Sequence, residues 1–225
     1  MSAFDGYPHE VNDVTREWVA GIERFDGADH VIDEAMRQTR SLSTGTARRV
    51  LSGEWLGAPL HPVLTDLPIG FWTSAWCLDI VGGRGSRRAA QRLVALGVLS
   101  VPAAAAAGIS DWHSIDDRGT RRVGALHGAL NVGATLVYLA SWRARRSGHH
   151  GRGVAWGWVG ATLATAAGHL GGHLAFGAPA DGEGHEQAHA GHVEHDGPEL
   201  VAEEPEPVMS EHRQWGDTAY GSSIG

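Results

Sequence analysis

Four histidines and two aspartates interrupt stretches of this chain that are otherwise apolar. His61, Thr65 and Asp66 open one such stretch, and Asp111 closes the next. His127 and Asn131 begin a third, while His169 and His173 lie towards the end of a fourth. Neutral imidazoles on facing helices can supply both axial ligands to a haem, bind a bare transition-metal ion, or relay protons. The spacing favours shared faces: His127, Asn131 and Thr135 follow one another at four-residue intervals, as do His169 and His173, which aligns each set on one side of a helix.

These residues need elements that bring them together. Leu93 to Ser110 and Val123 to Trp142 are uncharged runs of spanning length, and Gly153 to Ala180 is longer still. The opening segment, HPVLTDLPIGFWTSAW over residues 61–76, carries Asp66 and a helix-distorting Pro68, yet its flanks agree with a fourth span. Pro68 removes a backbone donor and is expected to free a carbonyl near Asp66. The fold expected is all-α: a four-helix membrane bundle over residues 58–178, with spans near 62–82, 90–111, 123–142 and 153–177. A soluble bundle with Ala-rich core helices is the alternative, and whole helices without solvent-facing charge argue against it.

The flanks give an orientation. Arginines fill loops 83–92 and 143–152, which under the positive-inside rule lie in the cytoplasm of a multi-pass cell-membrane protein. Alternating helix direction then carries His61, Asp66, Asp111, His127, His169 and His173 to the opposite end. The last span also holds Gly160, Ala164, Gly168 and Gly172 every fourth residue, a ridge that permits close helix packing.

Outside the spans the chain changes character. Residues 1–27 are polar and read as disordered, and residues 28–57 read as an amphipathic segment at the membrane surface or capping the bundle. Residues 179–225 are rich in His and Glu and read as a disordered tail, whose His185, His189, His192 and His195 lack a scaffold that would fix metal geometry.

Composition excludes several classes. The formal charge of −8 argues against a nucleic-acid partner. The single cysteine, Cys77, excludes an internal disulfide and a cysteine-ligated iron–sulfur cluster within the chain. No serine elbow or paired thiol points to nucleophilic catalysis, so no enzyme class is assigned.

In order along the chain, GEWLGAPLHPVLTDLPIGFWTSAWCLDIVGG, AGISDW, RRVGALHGALNVGATLVYLASWRAR and GHLGGHLAFG resemble a family of predicted membrane proteins, domain of unknown function 2231. The resemblance covers roughly residues 50–177 and implies a membrane bundle. Its members usually carry His-Pro-Leu-His-Pro at the first motif, where this chain has Ala58-Pro59-Leu60-His61-Pro62. Some relatives are joined to a Rieske iron–sulfur domain, which hints at electron transfer and a redox partner protein; this chain lacks the Cys and His pairs for such a domain.

The expected function is therefore a membrane redox carrier. Haem b would be held by His127 with His169 or His173, and His61 would stand beside it or add a ligand. A zinc, iron or copper ion bound by His61, Asp66, His127, His169 and His173 is the alternative, with Thr65, Asn131 and Asp111 supporting the ligands. Two further readings need no cofactor: a proton or small-solute path, and a membrane anchor or assembly partner without chemistry.

Overall fold

The structure, a computed structural model, describes residues 9–176. Among them lie seven α-helices and no strand: α1 (His9–Arg24), α2 (Asp29–Thr39), α3 (Gly45–Leu51), α4 (Leu60–Val81), α5 (Arg87–Trp112), α6 (Arg118–Arg146) and α7 (His150–Phe176). The all-helical expectation is met. Two stretches, Arg84–Trp112 and Arg118–Arg146, are long and apolar enough to cross a membrane.

Local chemistry sets the boundaries. Gly53 (φ +78°) and Gly57 (φ +72°) adopt the left-handed turns that reverse the chain before α4. Asp117 caps α6 by accepting from the backbone N–H of Thr120 at 2.6 Å. Gly148 (φ +83°) turns the chain between α6 and α7. Pro68 and Pro102 both lie inside uninterrupted helices, and Pro68 is buried, so the expected opening of the helix near Asp66 is not a break.

The four long helices pair as two hairpins, α4 with α5 and α6 with α7, and α5 also packs on α6. Small residues fill the interior: Ala75, Ala90, Ala104, Ala107, Ala134 and Ala167 are all buried. Large apolar residues point outward instead, among them Leu99 (74% exposed), Ile80, Val132 and Leu136 (each 60%). Such an inverted distribution is unlike the apolar core of a water-soluble bundle.

The N-terminal region departs from expectation. Residues 1–27 read as disordered, yet α1 is helical and its Val19 is 2% exposed. Val19 packs with Val123 and Leu170, helped by Ile22, so a short apolar stripe in a polar sequence anchors the helix to α6 and α7. Residues 28–57 form α2, α3 and intervening 3₁₀ turns rather than one helix. They cap the end of the bundle where α5 finishes and α6 begins: Arg122 holds Asp29 in a bidentate pair at 2.7 Å to each oxygen, and Thr39 Oγ1 lies 3.0 Å from His113 Nε2. The tail expected to be disordered, with its four histidines, falls outside the described residues.

Candidate functional site along the bundle axis

Two of the four expected histidines meet. The His61 and His127 rings stand edge to face with centroids 6.2 Å apart. Each is held in the same way by the neighbouring helix of its own hairpin. His61 Nδ1 donates to Ala104 O, and His127 Nδ1 donates to Ala167 O, both at 2.8 Å. A carbonyl can only accept, so the proton sits on Nδ1 in each ring. Asn131 Nδ2 then donates to His127 Nε2 at 3.1 Å, while His61 Nε2 keeps a lone pair. Fixing Nδ1–H on a backbone carbonyl is how proteins orient an imidazole whose Nε2 serves as a ligand or base.

Glycine makes both contacts possible. A Cβ at Gly108 would lie 2.7 Å from His61 Cε1, and one at Gly171 would lie 2.9 Å from His127 Cε1. In each case the glycine follows the accepting alanine by four residues, so the ring lies along one helical turn. Thr65 and Asn131 occupy matching places one turn after their histidines; Thr65 Oγ1 donates to His61 O at 2.7 Å.

The match continues deeper. Trp72 packs over Gly97, and Tyr138 packs over Gly160. The two rings stack on each other with centroids 3.9 Å apart at 12°. Further along, Arg145 Nη1 and Nη2 donate to the two carboxylate oxygens of Asp79 at 2.7 and 2.6 Å, with both side chains almost fully buried. Ser141 Oγ donates to Gly153 O, and Arg145 Nε donates to Ser141 Oγ. Asp79 and Arg145 are 66 residues apart, and the same separation links Trp72 to Tyr138 and His61 to His127.

Two copies of one helical hairpin therefore face each other. Three residues on α4 meet their counterparts on α6, the signature of a two-fold relation. The three pairs occur in the same order along both helices, so the axis runs parallel to them. The sequence carried a faint trace of this: HPVLT and HGALN begin the copies, and Trp76 and Trp142 fall at the same place in each.

The remaining expected ligands do not join the pair. Asp66 is exposed on α4. Asp111, expected to support the ligands and not to be one, is half-buried on α5 one turn beyond Gly108, near enough to His61 for their charges to interact. His169 is exposed and lines a cleft with Trp18, Trp72 and Trp158. His173 turns towards α1, where its Nε2 lies 3.7 Å from Glu23. Among the described residues, no group of three or more His, Cys, Asp or Glu could hold a metal ion. The five-residue ligand set therefore separates into one histidine pair and three outlying groups. Inward-facing positions were inferred from spacing, and spacing cannot say which neighbour a face meets.

Asp79, Arg145, Trp72 and Tyr138 were not identified from the sequence. Arg145 was counted as a loop arginine, although it is 6% exposed.

Neither the curated proteins nor the solved structures contain a match to this chain. Residues 57–180, which contain all four long helices, match the model of one family. The chain belongs to that family, described as "Predicted membrane protein (DUF2231)".

Proposed function

We propose that α4 to α7 cross a bilayer four times, with loops 83–92 and 143–152 in the cytoplasm, and that the His61–His127 pair at the opposite end binds one transition-metal ion for electron transfer. Support for four crossings comes from the small-residue interior and the large apolar residues facing outward on all four helices. The family is one of predicted membrane proteins, which agrees with a lipid partner.

The observation that carries the metal reading is the shared tautomer. Two imidazoles at equivalent positions each spend Nδ1–H on a carbonyl and keep Nε2 as the basic nitrogen. A centroid spacing of 6.2 Å leaves space for one ion at about 2 Å from each nitrogen once both Nε2 atoms turn towards it. Water or the Asn131 amide oxygen, after an amide flip, would complete the set. Imidazole suits copper or iron, either of which can carry an electron, whereas zinc, having no second oxidation state, could only be structural. Haem b would need the same two nitrogens and also a slot for its ring, which the glycine-packed rings leave little room for.

A second reading has its own observation. Each histidine fits a glycine notch and saturates a carbonyl that four-residue helix bonding leaves with spare capacity, so both could be helix clasps in a membrane scaffold. A through-going solute path is disfavoured because the Trp72–Tyr138 stack closes the axis midway.

Metal analysis and an absorption spectrum of the purified full-length protein, with His61→Ala and His127→Ala beside it, separate these readings. One ion per chain without a Soret band, lost in both variants, supports the bare-ion site. A Soret band lost in both makes the site a haem site. No metal, with both variants less heat-stable, leaves the clasp.

A further inference from the structure

The two-fold relation makes the four-helix arrangement contain two equivalent seams. Because α4 corresponds to α6 and α5 to α7, the seam between α5 and α6 is the counterpart of that between α7 and α4. The first is directly packed. The second opens into a cleft of about 730 Å³, within the size range of small-molecule sites.

The chemistry of the cleft differs from its counterpart in one direction. Its walls include Trp72, Trp76, Tyr138, Trp158, Thr165 and His169. The Ala104 to Ala167 correspondence aligns Trp158, Thr165 and His169 with Ala95, Pro102 and Ala106 on α5. The His61 to His127 correspondence aligns Thr73, also on the wall, with Leu139 on α6. At these four positions aromatic or hydrogen-bonding side chains stand in the open seam where small or apolar ones stand in the closed one, while Trp76 is matched by Trp142.

We infer that this cleft binds a quinone: a flat ring with two carbonyl acceptors and an isoprenoid tail. The part-exposed indoles of Trp76 and Trp158, which meet edge to face at 4.8 Å, offer flat and edge contacts, while the buried Trp72–Tyr138 stack forms the floor. His169, Thr73 and Thr165 supply donors for carbonyl oxygens. Among the described residues no Asp, Glu or Arg lines the cleft, so a phosphate-bearing ligand finds no counter-charge among them. The exposed wall carries Trp158, half-exposed, and Trp76, 37% exposed, which suits a tail lying in lipid. An acyl chain alone would have no use for the histidine and hydroxyls. The inference rests on the membrane-spanning part of the proposed function and is independent of the metal.

The test is decylubiquinone titrated into the detergent-solubilised full-length protein, read by tryptophan quenching, so that it does not depend on insertion. Saturable quenching at one quinone per chain is expected, with apparent Kd raised at least tenfold in His169→Ala and weakened in Thr165→Val. Both variants are checked for unchanged helicity, and the one that retains it decides. Quenching that does not saturate, or that is equal in the folded variant, overturns the inference. So does equal competition by a ring-free lipid of similar length, which would make the cleft an acyl-chain groove.

Discussion

Asp79 and Arg145 occupy the same position in two successive helical hairpins and meet in a bidentate ion pair with side chains only 4% and 3% exposed. His150 Nε2 lies 3.6 Å from the same carboxylate. Removing one partner strands a buried charge, which costs about 3–5 kcal/mol. Asp79→Asn or Arg145→Met should each lower the unfolding temperature markedly in detergent. The double variant Asp79→Leu with Arg145→Met should recover much of that loss, because an apolar pair of similar volume replaces both charges. A double variant as unstable as Asp79→Leu and Arg145→Met added together would show that the pair's worth lies elsewhere.

Glycine substitutions separate packing from propensity. Gly108→Ala and Gly171→Ala place a methyl against an imidazole and should each destabilise by about 1–3 kcal/mol. Gly128, also within α6, has nothing within 4 Å of its Cβ position, so Gly128→Ala should be neutral or gain up to about 1 kcal/mol of helix propensity. Thermal unfolding of the three variants side by side checks the contrast.

Acid should loosen the cap before the bundle. The hydrogen bonds and charge of Arg122, chiefly, hold the Asp29 carboxyl below its ordinary value of 3.8. The Thr120 backbone and hydroxyl do the same for Asp117. A depressed carboxylate contributes stability that is present above its unfolded-state pKa and lost as pH falls through the lower folded one. Hydrogen exchange in α1 and α2 should therefore rise below about pH 4 while α4 to α7 stay protected. Asp29→Asn should bring the same loosening at neutral pH; protection that stays level down to pH 2 in the wild type would refute the coupling.

Orientation is open to a labelling test. With Cys77→Ser as background, single cysteines at Ser86 and Ser147 sit in the two arginine-flanked loops, and one at Ser114 sits between α5 and α6. A membrane-impermeant maleimide added to intact cells should label the Ser114 position alone. Labelling of Ser86 and Ser147 alone would invert the topology, and labelling on both sides in any other combination would break the four-crossing reading.

The positions of the long helices were legible because uncharged runs and glycine turns are local properties. Leu60–Val81, Arg87–Trp112, Arg118–Arg146 and His150–Phe176 lie within a few residues of the expected spans. The meeting of His61 with His127 was also legible, as two members of a larger expected cluster. What escaped depended on partners distant in sequence. Arg145 reads as one loop arginine among several until Asp79 is found beside it, and Val19 is one apolar residue in a polar stretch until Val123 and Leu170 cover it. His169 and His173 share a helix face, but only the placement of α1 and α4 decides that one meets a cleft and the other Glu23.

The doubled hairpin also explains why opposite charges sit at the last matched position, near the ends of α4 and α6. Two molecules of the first hairpin brought face to face would oppose one carboxylate with another; two of the second would oppose guanidinium groups. Only the mixed couple neutralises itself, so the buried charges steer a first hairpin towards a second one and away from another copy of itself.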